Sequence, residues 1–263
     1  MKITEAIEAY LKSSFEREET SGDKKFYVSD MGKCLRMRYL KRKGISTEFE
    51  PYVYWILQLG NLMHDYGYKA LESQGILLAA EETVETEHFK GRYDGKVKNG
   101  DKPAPFDFKS TGSYKMKKIM EGEDDEENIA QLLTYTMLLQ ERGDDVGNSA
   151  FAVYLNKETS ARLPIPFFQK EYILTNWRKQ QLKDEMNKII NFWLEDKVPP
   201  CTCPNWMKDY NSYQPLCTMD EKRIKKVLAM LKSGKKIITT NKIMYVVTGK
   251  TENSEGKREV LSL

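Results

Sequence analysis

Three observations predict an α/β fold. Segments of β-like pattern alternate along the chain with segments of helical period, each change of period carries a turn or capping signal, and apolar residues make up 40% of the 263 residues against 31% charged. That length supports one sizeable core with appendages at its ends.

Residues 2 to 19 read as an amphipathic helix, with acids throughout and no signal-peptide hydrophobic region, so the cytoplasm is the default address. Thr20 to Lys25 (TSGDKK) reads as a linker, and Ser29 with Asp30 as a second helical start. From Val53 to Ser73, Trp55, Ile56, Leu59, Leu62, Met63 and Tyr66 recur at helical spacing, which predicts a core-packed helix carrying His64. Thr83 to Lys98 turns β-like, with turn signals at Lys90-Gly91 and at Asn99-Gly100-Asp101, so a hairpin followed by a strand over Phe106 to Ser110 is expected. Asn128 to Arg142 is a strongly apolar helix stopped by Gly143, and strands follow at Ser149 to Leu155 and Phe167 to Leu174. Thr175 is placed to cap a long helix that Pro199 and Pro200 end near Asp196. A basic helix over Asp220 to Ser233 precedes Ile237 to Val247 and Arg258 to Leu261, which together form a small sheet. No apolar stretch is long enough to span a bilayer.

The net charge of +3 diagnoses nothing, but its distribution is uneven. Lys33, Arg36, Arg38, Lys41, Arg42 and Lys43 fall in a segment without acids. Lys222, Arg223, Lys225, Lys226, Lys232, Lys235 and Lys236 form a second basic cluster, and Glu121 to Glu127 (EGEDDEE) an acidic one. A basic run is either a solvated face or a phosphate grip, and the acidic run reads as a solvated face or loop.

Asp107-Phe108-Lys109 is the most informative tripeptide. On a strand, residues two apart share a face, so Asp107 and Lys109 point one way while Phe106 and Phe108 point the other. Alone, that pattern is an ordinary ion pair. With Asp94 at the end of a neighbouring strand, the two carboxylates converge on a hard cation, and a carboxylate pair with a lysine suits phosphodiester hydrolysis. His64 is either a satisfied core residue or an imidazole ligand. Gly60, one turn earlier on its helix, lets that helix approach the sheet. Gln131 and Tyr135 are four apart on one helical face, an amide and a phenol that need polar partners if buried.

In order, Gly60 to His64 (G-x-x-x-H), Gly91 to Asp94 (G-x-x-D), Asp107 to Lys109 (D-x-K) and Gln131 to Tyr135 (Q-x-x-x-Y) resemble the motifs of the RecB-like branch of the PD-(D/E)xK nuclease superfamily. The resemblance implies a restriction-endonuclease-like core, a mixed central sheet flanked by helices. It also implies that His64, Asp94, Asp107 and the Phe108 carbonyl bind Mg2+ or Mn2+, that Lys109 orients or activates the attacking water, and that Gln131 and Tyr135 contact DNA or support the site. The acid before x-K is Asp107, where the superfamily commonly has Glu.

Cys34, Cys201, Cys203 and Cys217 are all the cysteines present. In a reducing compartment they read as isolated buried thiols, a zinc site or an iron-sulfur cluster. One cysteine before such a core and three after it resemble the iron-sulfur exonucleases of the fourth Cas family and AddB-type nuclease domains, which implies a structural [4Fe-4S] cluster. The C-x-C and the thirteen-residue final gap depart from the usual spacing of that trio, and zinc stays the alternative. A cross-link from Cys34 to the Cys201 region closes a long loop, worth roughly 5 kcal/mol by chain entropy.

The sequence therefore divides into an N-terminal helix and linker (1–28), an iron-sulfur nuclease domain (29–217) and a basic C-terminal extension (218–263). Its expected activity is metal-dependent exonucleolytic cleavage of DNA, by resemblance from single-stranded ends. A DNA-binding or assembly subunit working with DNA-processing proteins is the alternative. CRISPR-associated, viral and repair settings all fit.

Overall fold

The structure, a computed structural model, describes residues 3–15, 25–160, 163–203, 213–240, 242–248 and 257–260. The predicted linker, apart from Lys25, lies outside them, as do Leu261 and the two ends of the predicted first helix. The chain divides into two compact units. One comprises Met1–Phe15, Lys25–Gly32 and Tyr52–Glu185, the other Glu16–Lys24, Lys33–Pro51 and Met186–Leu263.

In the first unit, helix α1 (Ile3–Phe15) is followed by strand β1 (Phe26–Tyr27). The helical start expected at Ser29 and Asp30 is a single 3-10 turn, Val28–Asp30. A long helix, Pro51–Ser73, leads into β3 (Leu77–Ala80), β4 (Thr83–Glu85), β5 (Phe89–Arg92), β6 (Gly95–Val97) and β7 (Ala104–Thr111). It is α3, because α2 (Leu35–Arg42) and β2 (Ser46–Thr47) lie in the other unit. Helices α4 (Ser113–Met120) and α5 (Glu126–Arg142) then connect β7 to β8 (Ser149–Asn156), and β9 (Phe167–Ile173) precedes α6 (Asn176–Leu194).

The central sheet runs β3-β6-β7-β8-β9, with β7 and β8 parallel and every other pair antiparallel. Parallel neighbours need a crossover, and α4 with α5 supplies it. The mixed α/β architecture expected from the alternation is thus present. A second sheet, β1-β5-β4, receives the chain just before it enters β6.

Several local signals acted as expected. Gly143 ends α5 in the left-handed conformation (φ 92°), and the Thr175 hydroxyl accepts from the Arg178 N–H at 3.2 Å. Two expectations need correction. Lys90 and Gly91 lie inside β5, and the reversal falls at Thr86, whose hydroxyl accepts from the Phe89 N–H at 3.0 Å. Helix α3 is not wrapped in core: Trp55, Ile56, Leu62 and Tyr66 are 40% to 65% exposed. Its packed face is instead Met63, Tyr68 and Leu71 against Phe106 and Phe108. The acidic run is largely exposed, as expected, and its end starts α5. Asp125 caps α5 through the Asn128 N–H, and Glu126 pairs with Arg178 at 2.8 Å.

In the second unit, α2 and the short helix α7 (Gln214–Cys217) flank the cysteines. Helix α8 (Glu221–Lys232) starts from Asp220, whose carboxylate accepts from the Arg223 N–H at 2.8 Å. Strands β10 (Lys236–Thr239), β11 (Met244–Thr248) and β12 (Lys257–Val260) form the expected C-terminal sheet, with β2 added in parallel to β10.

Candidate active site and cysteine centre

Strand β7 orients its side chains as the period-2 argument requires. Phe106 and Phe108 enter the apolar cluster beneath α3, and the Asp107 carboxylate meets the Lys109 ammonium in a close ion contact. Helix α5 lies on that polar side. Lys109 Nζ donates to Gln131 Oε1 at 3.0 Å, and Gln131 Nε2 lies 3.5 Å from Asp107 Oδ1.

Asp94 does not end a strand. It occupies the corner between β5 and β6, where the chain passes from one sheet to the other, and Gly95 pairs with Phe106. From that corner its Oδ2 accepts the Phe108 N–H at 2.6 Å. His64 Nδ1 stands 3.7 Å from the same oxygen, and its ring lies against Phe108 at 5.4 Å between centroids.

Glycines set these approaches. A Cβ at Gly91 would lie 2.6 Å from the Tyr135 hydroxyl and 2.9 Å from Val28 Cβ, so only hydrogen leaves room for the Tyr135 ring, whose O–H donates to the Arg92 carbonyl at 3.1 Å. Gly60 faces Ser110 as expected, and Gly67, which the motifs did not single out, faces the Phe108 ring.

Burial pushes the Asp94 carboxyl well above the usual carboxylate range, and the neighbouring Asp107 charge adds to the shift against the Phe108 N–H and Lys109. Burial lowers His64, keeping a neutral imidazole with a lone pair. Burial alone would lower Lys109 too, but the Asp107 carboxylate outweighs it and holds the ammonium charged. Burial raises the Tyr135 phenol. Asp107 Oδ2 is buried, and its close contact is the Lys109 ammonium. Two neighbouring buried carboxylates, of which Asp94 is held back from ionising by burial and by the Asp107 charge, fit a hard divalent cation. The site thus brings together His64, Asp94, Asp107, Phe108, Lys109, Gln131 and Tyr135, although His64, Asp94 and Asp107 do not close on one another as a compact trio.

The four cysteines do close. Their sulfurs all lie within 4.8 Å of one another, with Cys34 to Cys201 and Cys203 to Cys217 each at 3.8 Å. A hydrogen bond from Cys217 holds the Cys34 thiol well below the usual thiol range, while Cys217 is pushed up in turn. The Thr202 N–H also points at Cys34 Sγ, at 3.4 Å. Four sulfurs that cannot all keep their protons comfortably, gathered in one volume, form a donor set for a thiophilic metal.

Sequence reasoning overlooked the residue that assembles this centre. Arg36, two positions after Cys34, donates to the carbonyls of Pro199 (3.0 Å), Leu216 (3.4 Å), Cys217 (3.1 Å) and Met219 (3.0 Å). It belongs to the basic run read as either a solvated face or a phosphate grip, yet its guanidinium is directed at the peptide groups flanking Cys201 and Cys217. Arg38 of the same run is only 2% exposed.

No protein-family model and no curated protein matches the chain. Among solved structures it is similar to SSO0001, with a TM-score of 0.51 and 17% identity over 83% of this chain and 96% of that one. That likeness concerns the fold alone. An alkaline exonuclease from Laribacter hongkongensis, LHK-Exo, superimposes with a TM-score of 0.44 and 13% identity over 65% of this chain and 89% of its own. Its complex with dAMP gives 0.42 over the same shares. Superpositions that loose carry no functional weight. Among the described residues, no helix is long and apolar enough to cross a membrane.

Proposed function

We propose that the chain is a Mg2+- or Mn2+-dependent DNA exonuclease of the RecB-like PD-(D/E)xK type, acting on single-stranded ends. One observation carries this reading: Asp107 and Lys109 share a face of β7 beside Gln131, while Asp94 is fixed to the intervening Phe108 N–H with His64 next to it. Asp94, Asp107, His64 and the Phe108 carbonyl would hold the cation, which supplies charge neutralisation at the phosphate and a more acidic water.

The protein groups do the rest. Lys109, kept protonated, places a positive charge and donor protons where the attacking oxygen and the phosphate oxygens sit. Gln131 holds the Lys109 ammonium in register with Asp107. Tyr135 braces the corner at Arg92 from which Asp94 projects. The test is degradation of end-labelled single-stranded DNA with Mn2+. Loss of cleavage in Asp107→Ala and Lys109→Ala is expected, by at least the roughly hundredfold typical of a lost charge-stabilising group. Wild-type protein that binds DNA tightly without cutting it would instead support a binding or assembly subunit.

For the cysteine centre we propose a structural metal. The likeness in cysteine order favours [4Fe-4S]. A specific observation favours zinc: an ion bonded to four thiolates at about 2.3 Å sets them about 3.8 Å apart, the spacing of both close sulfur pairs. Visible charge-transfer absorption with iron and sulfide, after anaerobic purification, would identify the cluster. Colourless protein with one zinc per chain would identify the ion.

A further inference from the structure

The two units differ sharply in charge. The unit with the candidate active site carries 20 Lys and Arg against 25 Asp and Glu, formally −5, whereas the other carries 22 against 14, formally +8. A polyanionic substrate is on average repelled by the first and attracted by the second.

Within the basic unit lies a cavity of about 490 Å³. Its apolar floor is the buried Val198 with the half-buried Leu228 and Leu231, and the exposed Ala229, Lys225, Lys232 and Asp196 with the half-buried Lys43 form its rim. The acid organises the rim. Its carboxylate accepts from the Tyr39 hydroxyl at 3.0 Å, pairs with Lys43 at 2.5 Å and with Lys232 at 3.4 Å, and Lys43 also sits 4.2 Å over the Trp193 ring. Asp196 adopts a left-handed backbone (φ 47°) just beyond α6, a position where glycine is the usual residue and a side chain is disfavoured. Lys225 is engaged by Glu221 at 2.8 Å, an exposed, solvent-screened pair one helical turn apart that is easily exchanged for a phosphate.

We propose that this cavity binds a nucleotide of single-stranded DNA, the base against the apolar floor and its flanking phosphates on Lys225, Lys232 and Lys43. A phosphate alone needs neither the floor nor the volume, and a duplex keeps its bases out of reach. The inference rests on the nuclease reading only in taking DNA as the polyanion.

The test is binding of a fluorescent thymidine oligonucleotide to the full chain, by anisotropy across a range of salt without added divalent metal. Replacing both exposed lysines in Lys225→Ala/Lys232→Ala removes two phosphate contacts. The slope of log affinity against log salt should fall by about 1.4, and affinity by roughly 25-fold at about 0.1 M salt. Lys225→Arg/Lys232→Arg should restore the slope. An abasic strand of the same length should bind the wild type more weakly. Unchanged affinity and slope in the alanine variant, equal binding of abasic strand, or an equal loss on a blunt duplex would each overturn the proposal and leave the nuclease reading standing. Lysine-dependent binding in this assay, with no cleavage of the same strand once Mn2+ is added, would do the reverse.

Discussion

Two glycines on α3 should respond to the same substitution with opposite sign. In a helix interior, glycine to alanine ordinarily gains about 1 kcal/mol, because the glycine backbone loses more freedom on folding. At Gly67 the added methyl would sit 2.4 Å from Phe108 Cζ and 2.9 Å from Cε1 and Cε2. That ring cannot swing away, since Phe106 (5.0 Å), Tyr68 (5.5 Å) and His64 (5.4 Å) surround it and it is 4% exposed. Overpacking of this kind costs about 1–3 kcal/mol, so Gly67→Ala should be destabilising by about 1 kcal/mol net and at most about 2. At Gly60 the methyl meets Ser110, its Oγ at 3.2 Å and its Cβ at an ordinary contact distance of 4.0 Å, and a hydroxyl can rotate aside. Gly60→Ala should therefore be neutral or stabilising by up to about 1 kcal/mol. Urea unfolding followed by circular dichroism measures the difference, expected near 2 kcal/mol between the variants. Adding Phe108→Leu to Gly67→Ala should recover part of the loss. A Gly67→Ala protein at least as stable as Gly60→Ala would refute the packing argument.

Arg36→Met keeps the stem and removes every donor to the four carbonyls. A loss of about 3 kcal/mol in stability is expected, together with faster metal release to a chelator, because charged-donor hydrogen bonds contribute about 1.5–3 kcal/mol each and are not additive; metal retention equal to wild type would refute the bracing role. Asp196 is drawn down to about 2, first by the Lys43 hydrogen bond and then by the Tyr39 hydroxyl. An acid whose folded pKa lies below its ordinary 3.8 stabilises the fold fully above that value and loses the effect as pH falls through about 2. The stability difference between wild type and Asp196→Asn should thus shrink across that interval, and a constant difference from pH 5 to below 2 would contradict it.

Period and punctuation made most elements legible. Helix α5 announced both its apolar run and its glycine stop, and β7 its alternation. Where reading failed, the cause was tertiary. The apolar residues of α3 encircle the helix, so period alone could not say which face packs; the glycines at 60 and 67, one heptad apart, mark it. Gly91 looked like a turn because glycine usually is, whereas here it vacates space for Tyr135, a partner 44 positions away. The ordered motifs alone point to one neighbourhood for His64, Asp94, Asp107, Lys109, Gln131 and Tyr135. No sequence signal distinguishes Arg36, whose four acceptors are peptide carbonyls and carry no residue identity. The arrangement of the cysteine sulfurs was expected from their number and order, and its spacing could come only from the fold.

The order of the cysteines also imposes a schedule on synthesis. Cys34 leaves the ribosome 183 residues before Cys217, which at 5–20 residues per second is about 10–40 s. For that interval the Cys34 thiol waits without its three partners while Tyr52–Glu185, the greater part of the candidate active-site unit, is made. Under the proposed structural metal, loading is a late event in the life of each chain, and premature oxidation or mis-metallation of Cys34 is the hazard most directly built into this topology.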